Sequence, residues 1–276
     1  RFGSVYLSGF VNSNGNQPAT SIATPGSHQP TFGGGDADLF LAKFNNSGQR
    51  IWSTYYGGSG NEGIAGPYLP SGLACDTAGN VFLSGTTNSS TAIATSGSFQ
   101  PVLAGGFDAF IVKFDSSGQR IWASYFGGSS DEKGNAVVAD IAGNIYLAGT
   151  TNSASGINNL GFQSAYGGGT ADGFVAKFDN NGLQQWSSYY GGSNTDEGHS
   201  LACDSSGNVF FAGRTKSTGG IATVGAFQEQ FAGGLWDAFL VKFNSTGQRQ
   251  FGTYYGGLHQ GSVIGFSSLS SDVAGD

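Results

Sequence analysis

The sequence predicts an all-β protein made of four copies of one antiparallel, four-stranded unit. Three observations carry this expectation. The segment opening at Gly79 (GNVFLSGTTNS) starts again at Gly143 (GNIYLAGTTNS) and at Gly207 (GNVFFAGRTKS), so the spacing is 143 − 79 = 64 and 207 − 143 = 64 residues. A fixed period of this size marks a repeat architecture. Aromatic and β-branched runs are short and are bounded by Gly, Asn, Asp and Ser, the pattern of strands and turns. Helix formers are scarce: the 276 residues include no Met but 49 Gly. With 22 Phe and 11 Tyr, a packed core is within reach, and the glycine content does not signal disorder.

Each unit holds four strand signals, here called A to D. In the best-defined copy, strand A is GNAVVAD at 134–140. The turn Asp-Ile-Ala-Gly-Asn leads into strand B, NIYLAGTT, with the Gly-Asn pair expected to supply the positive φ values of a tight hairpin. Strand C, DAFIVKFD in the preceding copy, puts Phe110, Val112 and Phe114 on one face. Ser-Ser-Gly-Gln then closes the turn into strand D, RIWASYFGG. Four antiparallel strands at fixed period is the signature of a propeller blade.

The units run about 1–78, 79–142, 143–206 and 207–276 as a single domain, cut inside a hairpin. Val5–Gly9 matches strand B, and Asp272–Asp276 matches the A–B turn. The expectation is therefore a four-bladed ring, closed when a C-terminal strand A near 263–270 pairs beside Val5–Gly9, which removes an exposed sheet edge. The alternative is four blades of a larger propeller. Cys75 and Cys203 share one repeat position, occupied by Ala139 in the intervening unit, and are expected as small buried hydrophobes.

The pattern GNVFLSGTTNS…FQ…GG-x-DAFIVKFDSSGQRIWASYFGGSSDEKGNAVVAD resembles the SBBP β-propeller repeat of bacterial secreted and surface proteins. The likeness covers nearly the whole chain apart from two enlarged D–A connections, 59–71 and 258–270. It implies the propeller architecture and an extracellular setting, and it is nearly silent on activity.

Net charge is −7 with 11% charged residues, and no basic stripe exists to neutralise phosphates, which argues against nucleic acid. No apolar run has the length of a membrane-spanning helix, so no membrane insertion is expected. Much of the charge recurs in every unit. Asp38, Asp108, Asp172 and Asp237 form one set, and Asp76, Asp140, Asp204 and Asp272 another. Lys43, Lys113, Lys177 and Lys242 form a third, and Trp52, Trp122 and Trp186 share a position in strand D. A residue kept in every blade serves the blade: Asp caps Gly-rich turns, Lys lies along the blade or meets a carboxylate, and Trp packs between blades. A ring of sugar-stacking Trp is the competing reading.

Departures from the repeat point elsewhere. Trp236 breaks the pattern where another unit has Phe107. The acidic D–A connections carry Glu62, Asp131, Glu132, Asp196 and Glu197, read mainly as solvated turn acids that could also collect a calcium ion. No other cofactor is expected. The segments 12–35, 88–106, 152–169 and 216–234 between strands B and C are long and variable, and they lie at the same end as the enlarged D–A connections. Variation concentrated on one face of a rigid scaffold is where binding is built. The expected ligand contacts are Trp236, Tyr68, His259, Glu62, Asp131 and Asp196, offered to a glycan or protein ligand by a secreted or cell-surface adhesion module. The alternatives are a structural spacer in a large surface protein or filament and a propeller glycosidase or lyase. The three histidines fall at unrelated repeat positions and no catalytic motif is present, so no enzyme is expected.

Overall fold

The computed structural model describes residues 3–13, 22–63, 72–257 and 269–270, and these contain strands, turns and irregular chain but no helix. The first blade holds β1 (Val5–Asn12), β2 (Ala37–Phe44) and β3 (Arg50–Tyr56). The second holds β4 (Leu73–Cys75), β5 (Val81–Thr87), β6 (Asp108–Phe114) and β7 (Arg120–Phe126). The third holds β8 (Glu132–Ala139), β9 (Ile145–Thr151), β10 (Asp172–Phe178) and β11 (Gln184–Tyr190). The fourth holds β12 (Asp196–Cys203), β13 (Val209–Thr215), β14 (Asp237–Phe243) and β15 (Arg249–Tyr255). Every sheet is an antiparallel meander in chain order, as a propeller blade requires. The inner strands meet one another: Asn135 Nδ2 on β8 donates to the Gly198 carbonyl on β12 at 2.6 Å.

Only three strands of the first sheet fall among the described residues. The strand expected at 263–270 lies outside them except for Leu269 and Ser270. The Leu269 N–H donates to Ser200 Oγ on β12 at 2.8 Å.

The hairpins follow the sequence reading with one correction. In the A–B turn, Asp140 Oδ1 accepts the N–H groups of Ala142 and Asn144 at 2.9 and 2.8 Å. Gly143 takes φ +83°. Asn144 does not share that conformation; its side chain donates to Asp140 Oδ2 at 2.8 Å and locks the turn. Asp76 and Asp204 repeat the arrangement with Asn80 and Asn208. The cysteines also differ from expectation. Cys75 is exposed and Cys203 half-buried, because each is the last residue of its inner strand, next to the A–B turn.

The apolar interior is divided into three clusters, each lying between neighbouring blades. One joins Leu39, Leu41 and Tyr56 to Val81, Leu83 and Phe110. The next joins Ile111, Trp122 and Phe126 to Leu147, Phe174 and Phe178. The third joins Val175, Trp186 and Tyr190 to Phe211, Phe239 and Phe243. The mechanism is strand alternation: one face of each sheet packs on the preceding blade and the other on the following one.

The variable B–C segments are not free loops over their whole length. Each folds back along strand D of its own blade. Thr95 N donates to the Ala123 carbonyl at 2.9 Å and Tyr125 N to the Gln100 carbonyl at 3.1 Å. Thr24, Gln29, Thr223 and Gln228 make the equivalent bonds in the first and fourth blades. These segments cover the outer edge of each sheet, which would otherwise present unpaired N–H and C=O groups.

Candidate functional site

The recurrent residues are consumed in the seams between blades. Trp52 Nε1 donates to the Ser116 carbonyl, Trp122 to Asn180 and Trp186 to Ser245, all within 3.0–3.1 Å. In each case the ring lies on a glycine of the next blade's C–D turn, Gly118, Gly182 or Gly247, where a Cβ would strike the indole. The aligned lysines make the same reach: Lys43 Nζ to the Ser116 carbonyl at 2.8 Å and Lys177 to Ser245 at 3.0 Å. Their stems cross the strand-B aromatic of their own blade, with Nζ 5.5 Å from the Tyr6 and Tyr146 ring centres. The tryptophans therefore pack between blades rather than standing free as sugar platforms.

A second seam element was not anticipated. The strand-C aspartates are fully buried, as are Glu62 in the first D–A connection and Glu132 and Asp196 at the start of the next inner strand. Asp38 Oδ2 accepts the Gly33 N–H, and Gln29 bridges Asp38 to the Gly57 N–H. Glu62 accepts from Thr87 Oγ1 and Ser89 Oγ, both at 2.6 Å, and from the Gly58 N–H at 2.8 Å. The two carboxyl groups meet over the Cα of Gly57, where a methyl group would collide with both. Asp108 and Glu132 meet in the same way over Gly127, and Asp172 and Asp196 over Gly191. Asp38 Oδ1 and Asp172 Oδ1 accept no hydrogen bond from elsewhere among the described residues. Such a pair is held when one member carries a proton. Burial pushes Asp38 up to about 7, opposed by the Gly33 hydrogen bond and reinforced by Glu62. Burial likewise takes Asp172 to about 7, opposed by the Gly167 hydrogen bond and reinforced by Asp196.

These facts reassign two of the expected ligand contacts. Glu62 and Asp196 are not solvated turn acids; their carboxyl groups face inward and hold adjacent blades together. Asp131 is exposed, yet its Oδ1 accepts the Phe107 N–H at 3.0 Å, tying the D–A connection to the start of strand C. The three acids sit at three different seams and do not converge. Tyr68 and His259 lie outside the described residues.

Trp236 does stand in a distinctive setting. The Arg214 guanidinium carbon is 4.3 Å from its ring centre and Lys216 Nζ is 4.4 Å away, both within cation–π reach. Arg214 Nε and Nη2 both donate to Glu197 Oε2, at 2.9 and 2.7 Å. His199 Nε2 is 3.6 Å from the same oxygen. Burial pushes the Glu197 carboxyl up, but the hydrogen bonds from His199 and Arg214 and the Arg214 charge outweigh it and hold it at about 2. Lys216 is exposed and Trp236 half-buried. Register explains the meeting: β12, β13 and β14 pair so that Glu197 lies opposite Arg214 and Arg214 opposite Ala238, two residues after Trp236.

Arg214 and Lys216 were not among the expected contacts, although a signal was present. Strand B ends Thr-Thr-Asn in two copies and Arg-Thr-Lys only in the last. Of eleven Lys and Arg, seven occupy recurring positions (four Lys, and Arg50, Arg120 and Arg249). Two of the remaining four face one aromatic ring.

Comparison with known proteins agrees with this division into blades. The family model described as a beta-propeller repeat, SBBP, matches residues 121–156 and 185–220. The chain carries SBBP repeats. Each matched SBBP stretch runs from strand D across the seam into the next blade, and so contains the Trp, the inner-strand acid and the A–B turn Asp. The Regulatory protein FlaEY of Caulobacter vibrioides is 29% identical over 152 residues. That match covers 55% of this chain and 15% of FlaEY, so the chain spans a small part of that relative's length.

Proposed function

We propose that this chain is a non-enzymatic extracellular binding module, secreted or displayed at the cell surface, that takes a glycan or protein ligand at the fourth blade. The observation that carries this reading is the convergence of residues that depart from the repeat. Trp236, Arg214, Lys216, Glu197 and His199 meet at the end of the blade where the B–C and D–A connections lie. An aromatic ring flanked by cations, one of them exposed, offers both stacking and charge to a ligand. The recurrent tryptophans and lysines of the other blades are already engaged by neighbouring blades and leave little for recognition.

A glycan array and a pull-down from cell-surface extract, each with the soluble chain, test the reading. Lys216→Ala and Trp236→Ala should reduce capture at least tenfold while changing stability by less than about 1 kcal/mol for the exposed lysine. Capture that survives both substitutions would remove the site. The spacer reading is favoured by a different observation, the regularity with which the recurrent tryptophans and lysines of the first three blades are used in a seam. Absence of capture by wild-type chain would leave that reading standing alone.

A further inference from the structure

We propose that a cleft between the first and second blades binds a uronic acid residue, with its carboxylate at Arg120 and its hydroxyls at His28, Thr31, Ser59 and Thr91. The cleft is built from the B–C segments of both blades and the D–A connection between them, and it shares no residue with the Trp236 cluster. Its volume is about 480 Å³, and Phe32 completes the set of side chains that matter here. That size is in the range of small-ligand sites. What singles the cleft out is a departure from the repeat. The sequence reads Ser-His-Gln at 27–29, where the other units have Ser-Phe-Gln, Gly-Phe-Gln and Ala-Phe-Gln.

The phenylalanines show what this position ordinarily does. Phe99 packs on Phe126 at 6.4 Å and on Phe178 of the following blade at 6.0 Å. Phe162 packs on Phe243 at 6.4 Å, and the Arg249 guanidinium carbon lies 4.3 Å from its ring centre. His28 keeps the packing, with its ring 6.3 Å from Tyr56 and 5.7 Å from Phe114. It adds two ring nitrogens that phenylalanine lacks. Burial pushes its pKa down to about 4, and the Arg120 charge adds to this. A neutral imidazole donates from one nitrogen and accepts at the other, as a sugar hydroxyl does from its single oxygen. Arg120 aligns with Arg249 and is anchored in the same way, Nη1 donating to the Ala92 and Ile93 carbonyls at 2.9 and 3.0 Å. The second seam has Gln184 at that position, so of the three seams described only the first sets an arginine beside a histidine.

The rest of the lining fixes the class of ligand. Arg120 makes no ion pair among the described residues, so its charge is left for a ligand. It is also the one cation among the described residues lining the cleft, which suits a single negative charge better than a phosphate dianion. A guanidinium matches a carboxylate in both charge and geometry. The hydroxyls of Thr31, Ser59 and Thr91 are exposed, and no protein group takes them up among the described residues. Phe32 stands edge-on to Tyr55 at 6.2 Å and supplies an apolar patch for one face of a sugar ring. A uronic acid uses all of these groups. A neutral sugar would leave the charge unused, and a bare carboxylate would leave the hydroxyls unused.

Isothermal titration calorimetry of the soluble chain with glucuronate and galacturonate, each beside its neutral counterpart glucose or galactose, tests the inference. At least one uronate should bind about tenfold or more tightly than its neutral counterpart and than acetate. Two substitutions install residues that the repeat already carries at the aligned positions, so each variant should fold. His28→Phe, the residue of the other three units, should weaken uronate binding at least about tenfold. Arg120→Gln, the residue of the third unit, should cut the preference for uronate over neutral sugar to less than about threefold. Trp236→Ala should leave uronate affinity unchanged, which separates this cleft from the fourth-blade site. The inference is overturned if neither uronate binds, or if neither is preferred over its neutral counterpart and acetate. It is equally overturned if affinity survives His28→Phe, if the preference survives Arg120→Gln, or if binding is lost with Trp236→Ala.

Discussion

The second and fourth blades are built on the same repeat, and they use it differently. In the second blade, Trp122, Lys113 and Phe126 are spent on the third blade, and all three are buried. In the fourth, Phe251 stands where Trp122 stands, Tyr255 is exposed, and the end of strand B reads Arg-Thr-Lys beneath Trp236. The seam residues of the second blade are identical in kind to those of the first and third. The contrast teaches how to read a repeat protein: recurrence marks what blades need from each other, and departure marks what faces outward.

Substitutions at matched positions sharpen that contrast. One such effect is expected at the C–D turns. Gly182 has φ +81° and lies on Trp122, whereas Gly48 has φ +74° in open space. Gly→Ala at either position adds the strain of a left-handed conformation, of order 1–2 kcal/mol. Only Gly182→Ala also displaces an indole ring, so it should cost the more of the two by at least about 1 kcal/mol in urea unfolding. Equal losses would mean that the Trp contact contributes nothing.

The buried carboxyl pairs give a smaller, pH-dependent effect. Asp38 and Asp172 have folded pKa values raised to about 7 by burial. The sign follows from linkage: a raised carboxyl favours folding fully below its unfolded pKa near 4 and loses that contribution as pH rises through about 7. Unfolding free energy should therefore fall between pH 5 and pH 8, by about 1 kcal/mol or more per pair. Asp172→Asn should flatten part of this slope, since an amide donates to Asp196 without a proton to lose. A stability that rises over this interval would contradict the shared-proton arrangement.

Much of this organisation was legible in the chain itself. The 64-residue spacing revealed the blades, and the Asp-x-x-Gly-Asn element revealed the turns. The placement of Trp52, Trp122 and Trp186 between blades was also legible, because a large aromatic repeated in every unit but the last has a neighbour as its natural partner. Two features were hidden for physical reasons. Glu62 and Asp196 sit in Gly-rich, polar connections that read as solvated, and only the fold brings each over a glycine against an aspartate 24 residues earlier. The B–C segments hold strand D largely through backbone groups and small hydroxyls such as Thr95 and Thr24, which leave no hydrophobic alternation to detect. At the Trp236 cluster, the aromatic was visible as a departure, while Arg214 and Lys216 were masked by their place at the end of a recurrent strand.

The central claim is that one repeat position is interior where a following blade is present and surface where it is not. Equilibrium urea unfolding of Tyr190→Ala and Tyr255→Ala, at a concentration where wild-type chain is monomeric, tests it most directly. Tyr190 is fully buried and donates to the Ile221 carbonyl at 2.7 Å. Its loss should cost about 3–5 kcal/mol, the range for removing a large buried aromatic. The same substitution at Tyr255 should cost less than about 0.5 kcal/mol, as for an exposed site. Comparable losses at both positions would contradict the account, because they would place Tyr255 inside a closed seam of the isolated chain.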